Sequence, residues 1–191
     1  MEKLIQRLKK LFKKSSQGFT LIELLVVIGI LGILAAALVA TIDPFEQLNK
    51  AQDANVKNTL VEYIDANVRY YTTHSAMPWN DTANTAASGC TGSAATITAG
   101  GVDLQSLNGG AGSCVSALIT DGELKSSFTT VTNILSKVYV TGGSTNLTAC
   151  FAPASKSQRN DPNTKFNQNG TTPGPAGCPS ATLTTCYWCS E

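Results

Sequence analysis

Between Phe19 and Ile42 the chain runs for 24 residues with a single charged side chain, Glu23. As helix this run is about 36 Å long at 1.5 Å per residue, enough to cross a hydrocarbon core of about 30 Å. Ahead of it, residues 1–18 hold six basic side chains (Lys3, Arg7, Lys9, Lys10, Lys13, Lys14) against one acid, Glu2. The positive-inside rule therefore leaves residues 1–18 in the cytoplasm and sends the rest outward. Six cysteines, all beyond residue 89, agree with that orientation, because exported domains keep disulfides. The remaining 173 residues carry eight basic groups against twelve acidic ones, so no basic excess is available to grip phosphates and no nucleic-acid partner is indicated.

A secretory signal peptide and an uncleaved single-span anchor both explain a basic start followed by apolar sequence. The run is longer than the usual signal-peptide core of about 7–15 residues, and neither role has a use for Glu23. At the centre of a membrane helix an acid costs roughly 2.5–3.5 kcal/mol, less near an end where it reaches the interface. Glu23 lies about one turn in, so it is tolerable there. Gly18 followed by Phe19-Thr20-Leu21-Ile22-Glu23-Leu24-Leu25-Val26-Val27-Ile28 resembles the class III signal of type IV prepilins and the related pseudopilins. The resemblance implies cleavage after Gly18 by a prepilin peptidase on the cytoplasmic side, then N-methylation of Phe19.

The chemistry of assembly follows from that cut. A new α-amino group has a reference pKa of about 7.7–8.0 and is largely cationic at neutral pH. When apolar helices leave lipid and bundle, buried charges must be paired. Glu23 supplies the counter-charge for the Phe19 amine of a neighbouring copy. Such a pair adds little net stability over apolar packing, but a mispaired partner is heavily penalised, so it sets the axial register. Thr20 adds a hydroxyl hydrogen bond to this assembly site.

Beyond the run, Leu48, Ala51, Val56, Leu60, Ile64, Val68 and Tyr71 recur at helical spacing, with Glu46, Lys50, Asp53, Lys57, Glu62 and Asp65 on the other faces. One helix from Phe19 to about Thr73 is expected, on the order of 80 Å long. Pro44 interrupts it, and a kink or local unwinding is expected near Leu38–Thr41. Gly29 and Gly32 are small enough for close helix approach. The chain then divides into a basic leader (1–18), a transmembrane or filament-core half-helix (19–44), an amphipathic half (45–74) and a head (75–191).

In the head, residues 80–116 read as long connecting loop with short elements inside it, Val115–Leu124 as a short helix ending at Asp121-Gly122, and residues 135–191 as a small antiparallel sheet. Lys137–Thr141 and Leu147–Phe151 alternate like a hairpin around Gly142–Asn146, with Thr182–Tyr187 as a third strand and Pro153–Pro179 as an irregular excursion. The fold class is α+β: a long helix, hydrophobic then amphipathic, packed on a small sheet with a disulfide-stapled C-terminal region, as in pilins. Cys90, Cys114, Cys150, Cys178, Cys186 and Cys189 allow fifteen pairings; Cys90 with Cys114 is favoured, the last four stapling the C-terminal region. Cys186-Tyr187-Trp188-Cys189 raises a membrane-tethered thiol–disulfide oxidoreductase as a different class, without the thioredoxin-like context such a dithiol needs. His74 reads as a helix C-terminal cation. Asp161–Gly170 has one carboxylate and reads as a turn-rich loop, not a calcium site. No catalytic residues, metal or cofactor are expected.

The resemblance implies a structural subunit of a type IV pilus or pilus-like filament, polymerising with itself. Its partners would be the prepilin peptidase, the pilus or secretion assembly platform, and minor pilins. The precursor would span the inner membrane once, and the mature form would sit in a surface or periplasmic filament. A type II secretion pseudopilin and a minor tip pilin are the alternatives.

Overall fold

The computed structural model describes residues 18–41, 43–84, 88–91, 93–109 and 112–190. It divides into two compact units, residues 1–43 and 44–191. The leader expected over residues 1–18 lies, save Gly18, outside the described residues.

The first unit is one helix, α1 (Leu21–Thr41). Leu, Ile, Val, Ala and Gly fill it on every side, and its described side chains are all exposed. An apolar helix that buries nothing against its own chain must find lipid or another protein.

The second unit opens with α2 (Pro44–His74). The expected single helix bent near Leu38–Thr41 is thus two helices: Leu38–Thr41 stays helical, with the Thr41 hydroxyl donating to the Leu38 carbonyl at 2.7 Å. Pro44 stands at the first position of α2, where its missing N–H costs nothing and its fixed φ suits a helix start.

The buried face of α2 is Asp53, Val56, Leu60, Tyr63, Ile64, Ala66, Asn67 and Tyr70. It shares Val56, Leu60 and Ile64 with the expected stripe. Leu48, Ala51 and Val68 of that stripe are exposed, and Tyr71 is only partly buried. Tyr63 and Tyr70 carry the stripe instead, at a seven-residue step that returns to nearly the same angle.

Two short helices, α3 (Ser88–Thr91) and α4 (Ala94–Ala99), a two-residue strand β1 (Val102–Asp103) and a 3-10 turn at Ser106–Asn108 are the short elements within the stretch expected to be mainly loop. Next come α5 (Cys114–Thr120), a 3-10 segment at Ser126–Thr130, α6 (Thr132–Leu135), β2 (Val138–Gly142) and β3 (Leu147–Phe151), then α7 (Lys156–Arg159) and β4 (Trp188–Ser190). The four strands form one antiparallel sheet in the order β1-β2-β3-β4. In the β2–β3 hairpin, the Gly143 amide donates to the Asn146 carbonyl at 2.8 Å. The third strand expected at Thr182–Tyr187 lies later, at Trp188–Ser190; Tyr187 makes only an isolated bridge to Phe166.

Alternation sets the packing. Val138, Val140 and Gly142 of β2, with Leu147, Ala149 and Phe151 of β3, point into the core against α2. Gly142 is needed for clearance, since a Cβ there would lie 2.5 Å from the Trp79 ring. That ring is buried, and its Nε1–H donates to the Gly143 carbonyl at 3.0 Å. At the far edge, Trp188 packs on Phe151 (ring centroids 5.7 Å apart), and the Lys57 ammonium from α2 sits 4.1 Å from the Trp188 ring centroid.

Three disulfides tie this unit. Cys90–Cys114 joins α3 to the start of α5, Cys150–Cys189 crosses β3 to β4, and Cys178–Cys186 closes a loop before β4. Cys150 and Cys189 are also direct register partners in the sheet.

Candidate processing and assembly segment

Gly18 and Phe19 precede α1, and both are exposed. A Cβ added at Gly18 would meet nothing within 4 Å, so the fold itself does not require glycine there. The same holds at Gly29 and Gly32.

Thr20 caps α1, and Glu23 is the third residue inside it. The Thr20 amide and hydroxyl donate to Glu23 Oε2 at 2.9 and 2.8 Å, and the Glu23 amide donates back to Thr20 Oγ1 at 3.3 Å. This is a reciprocal capping box, which satisfies donors a helix start leaves orphaned. The pattern Thr-x-x-Glu ahead of an apolar run was readable in the sequence. It gives Glu23 a task inside a single copy that the charge-pairing argument overlooks.

Two carboxylates of α2 act at long range, where no local pattern foretells it. Asp53 is buried, with Oδ1 accepting from the Ala154 amide at 2.8 Å. Its Oδ2 accepts from the Ser155 amide at 2.8 Å and the Ser155 hydroxyl at 2.6 Å. Two turns earlier, Glu46 accepts from the Lys156 and Ser157 amides, both at 3.2 Å. Those bonds, Lys156 first, outweigh the burial penalty and hold the Glu46 carboxyl below its ordinary value. Seven residues apart on one face, the two acids clasp the amide end of α7. They were expected on solvent faces. Their partners lie about a hundred residues away, beyond the reach of any local pattern.

At the other end of α2, Tyr70 donates to Asp81 Oδ2 at 2.9 Å, and the Asn84 amide group donates to both Tyr70 Oη and Asp121 Oδ2 at 2.9 Å. His74, the last residue of α2, stacks on Tyr70 with ring centroids 4.0 Å apart. Its Nε2 is 3.9 Å from Asp121. Arg69 donates to the Glu123 carboxylate at 2.8 Å.

Cys186 and Cys189 are bonded to Cys178 and Cys150, not to each other. Among the described residues no group of three His, Cys, Asp or Glu side chains is placed to hold a metal ion. In the 161–170 stretch the side-chain oxygens turn onto their own backbone: Asp161 accepts from the Asn163 amide at 2.8 Å, and Asn167 from the Thr171 amide at 3.0 Å.

Residues 13–39 match the family model described as the prokaryotic N-terminal methylation motif. No curated protein and no solved structure matches the chain. The matched stretch contains Gly18, Phe19, the Thr20–Glu23 capping box and nearly all of α1. The chain thus joins a prokaryotic N-terminal methylation motif, of the kind expected of a type IV prepilin-like class III signal, to an α+β unit with an antiparallel four-stranded sheet and a disulfide-stapled C-terminal region.

Proposed function

We propose that the chain is a structural subunit of a type IV pilus or pilus-like filament. In this reading it is made as a membrane-anchored precursor with its head outside the cytoplasm, and a prepilin peptidase removes residues 1–18. Phe19 is then N-methylated, and copies polymerise through α1. Residues 19–44 form the membrane span and later the filament core, 45–74 the supporting half, and 75–191 the head. One observation carries the reading: within the methylation motif, a membrane-length helix of exposed apolar side chains carries its only charge in its first turn.

Glu23 then has two successive partners. In a single copy its carboxylate is satisfied by Thr20. A carboxylate has about four acceptor positions, so two donors from Thr20 leave room for the Phe19 amine of an adjacent copy. The open space at Gly29 and Gly32 suits close approach of neighbouring helices. The same physics serves a type II secretion pseudopilin, and the cell-surface location of the filament separates the two.

Mass spectrometry of the subunit from purified filaments tests the processing: a mature N-terminus at methylated Phe19 is expected. Gly18→Leu should accumulate uncut precursor, and a mature-sized product from that variant refutes the assignment. Glu23→Leu should insert and be cut normally yet yield few filaments by electron microscopy; a normal yield removes the register role.

A further inference from the structure

Two asparagines stand directly before a glycine, Asn108 and Asn169. Asparagine is chemically labile, and glycine, with no Cβ, leaves its own amide nitrogen unobstructed. The two sites differ in what surrounds the side-chain carbonyl. Asn108 uses its amide group as a donor, to the Thr129 carbonyl at 3.3 Å, and among the described residues nothing donates to its Oδ1. Asn169 Oδ1 accepts twice from Thr171, from the hydroxyl at 3.0 Å and from the backbone amide at 3.3 Å. The Thr171 hydroxyl in turn accepts from Asn167 Nδ2. A hydroxyl that accepts while it donates is polarised and becomes the better donor.

We propose that Asn169 is a self-modification site, at which Thr171 promotes closure of the side chain onto the Gly170 nitrogen. The Gly170 amide gives its proton to hydroxide, and its nitrogen bonds to Asn169 Cγ. Negative charge collects on Oδ1, where both Thr171 donors already point. Hydrogen bonds to a full charge are about twice as strong as those to a neutral carbonyl, so they favour this intermediate over the ground state. The Cγ–Nδ2 bond then breaks, the departing nitrogen takes a proton from water, and ammonia leaves a five-membered succinimide while hydroxide is regenerated. Water opens the ring at either carbonyl, giving aspartate or isoaspartate at position 169. The reaction consumes water alone and transfers no electrons to a partner.

Packing holds the pair in place. Gly170 has φ +79°, and a Cβ there would lie 2.7 Å from Thr148 Cγ2, so a side chain after Asn169 is excluded. Gln168 Nε2 donates to the Gly101 carbonyl at 3.1 Å, and a Cβ on Gly100 would come within 2.9 Å of Asn169 Cβ. Asn169 and Gly170 are still half-exposed, and Gly100, Gly101, Asn167, Gln168 and Asn169 line a cleft open to solvent, so water reaches the ring. One contact opposes the step: the Gly170 amide donates to the Asn167 carbonyl at 3.1 Å and must open before it loses its proton. That bond closes a surface turn, where opening costs least. An isoaspartyl link adds a methylene to the main chain, which the tight seat on Gly100 does not admit, so the modified loop lifts from Gly101.

The reaction needs only the head, so its outcome is independent of the filament reading. The test incubates the full chain in detergent at mildly alkaline pH and follows amide-to-acid exchange by mass spectrometry of its peptides. In the folded chain Asn169 should convert about tenfold faster than Asn108, and the two rates should converge once the chain is reduced and denatured. Thr171→Val should slow Asn169 about tenfold without changing Asn108, and Thr171→Ser should restore the rate. Equal folded-state rates at Asn169 and Asn108 overturn the proposal, as does a Thr171→Val chain that converts as fast as the parent.

Discussion

Asp53 shows how one side chain can fasten a fold. Its carboxylate accepts three hydrogen bonds from Ala154 and Ser155, about a hundred residues further along the chain. Removing a buried charged acceptor strands each donor, so Asp53→Ala should lower the stability of the head by about 3 kcal/mol. Ser155→Ala removes a helix cap and one of those bonds and should cost about 1 kcal/mol. Chemical denaturation of the two variants checks the order; equal losses would mean that the hydroxyl, not the carboxylate, holds the clasp. Asp81 sets a pH dependence at the other end of α2. Burial pushes its carboxyl up, but the Tyr70 hydroxyl and the Ala83 and Asn84 amides outweigh that and leave it below its ordinary value. Burial, and the acceptor at Asp81, raise the Tyr70 hydroxyl well above its own ordinary value, so it remains a donor throughout. Because the folded carboxyl is the more acidic one, its contribution is full above the unfolded value of about 3.9 and fades as pH falls through the folded value. Thermal melts from pH 5 to pH 3 should show a falling midpoint, with a shallower fall in Asp81→Asn.

At the scale of elements, Pro44 separates α1 from α2. A proline inside a helix clashes with the carbonyl four residues back and lacks a donor, whereas at the first position it does neither harm. Pro44→Ala should extend helical hydrogen bonding across residues 42–45, seen as slower amide exchange there, while head stability moves by less than about 1 kcal/mol. Unchanged exchange would assign the break to something other than the proline ring. The sequence foretold an interruption at this residue but placed it in the preceding turn; Asp-Pro as the opening of a new helix was the reading to make. The β2–β3 hairpin was legible because Val138-Tyr-Val140 and Leu147-Thr-Ala149 alternate strictly. The strand β4 was not, since Trp188-Cys189-Ser190 is too short to alternate and is placed by the disulfide from Cys189 to Cys150. The short elements expected within residues 80–116 could not be typed or placed as α3 and α4, because Ala, Ser, Thr and Gly give no apolar period and a single buried Ile97 anchors α4. Tyr63 and Tyr70 were missed on the core face because an aromatic ring fits solvent or core equally by pattern. Their seven-residue spacing was the available signal.

For the whole molecule, the two units solve opposite problems. The described side chains of α1 are apolar and exposed, a surface suited to lipid or to other copies of the helix. The head keeps its few large apolar side chains inside, and a modest core at this size gains from cross-links. Loop closure predicts unequal shares. A sequence separation of 8 between Cys178 and Cys186 is worth about 2.5 kcal/mol, and a separation of 39 between Cys150 and Cys189 about 4 kcal/mol. The second bridge also holds β4 in register, and with it Trp188 against Phe151 and beneath Lys57. Replacing Cys150 and Cys189 by alanine should therefore cost more than replacing Cys178 and Cys186, and should alone increase the solvent exposure of Trp188. Guanidinium unfolding combined with tryptophan fluorescence reads both effects, and the buried Trp79 serves as an internal reference in the folded baseline. If the folded-state emission of neither variant shifts while the two losses differ by only the roughly 1.5 kcal/mol that loop length predicts, β4 is held by its backbone ladder and the aromatic packing. The Cys150–Cys189 bridge would then stabilise chiefly by restricting the unfolded chain.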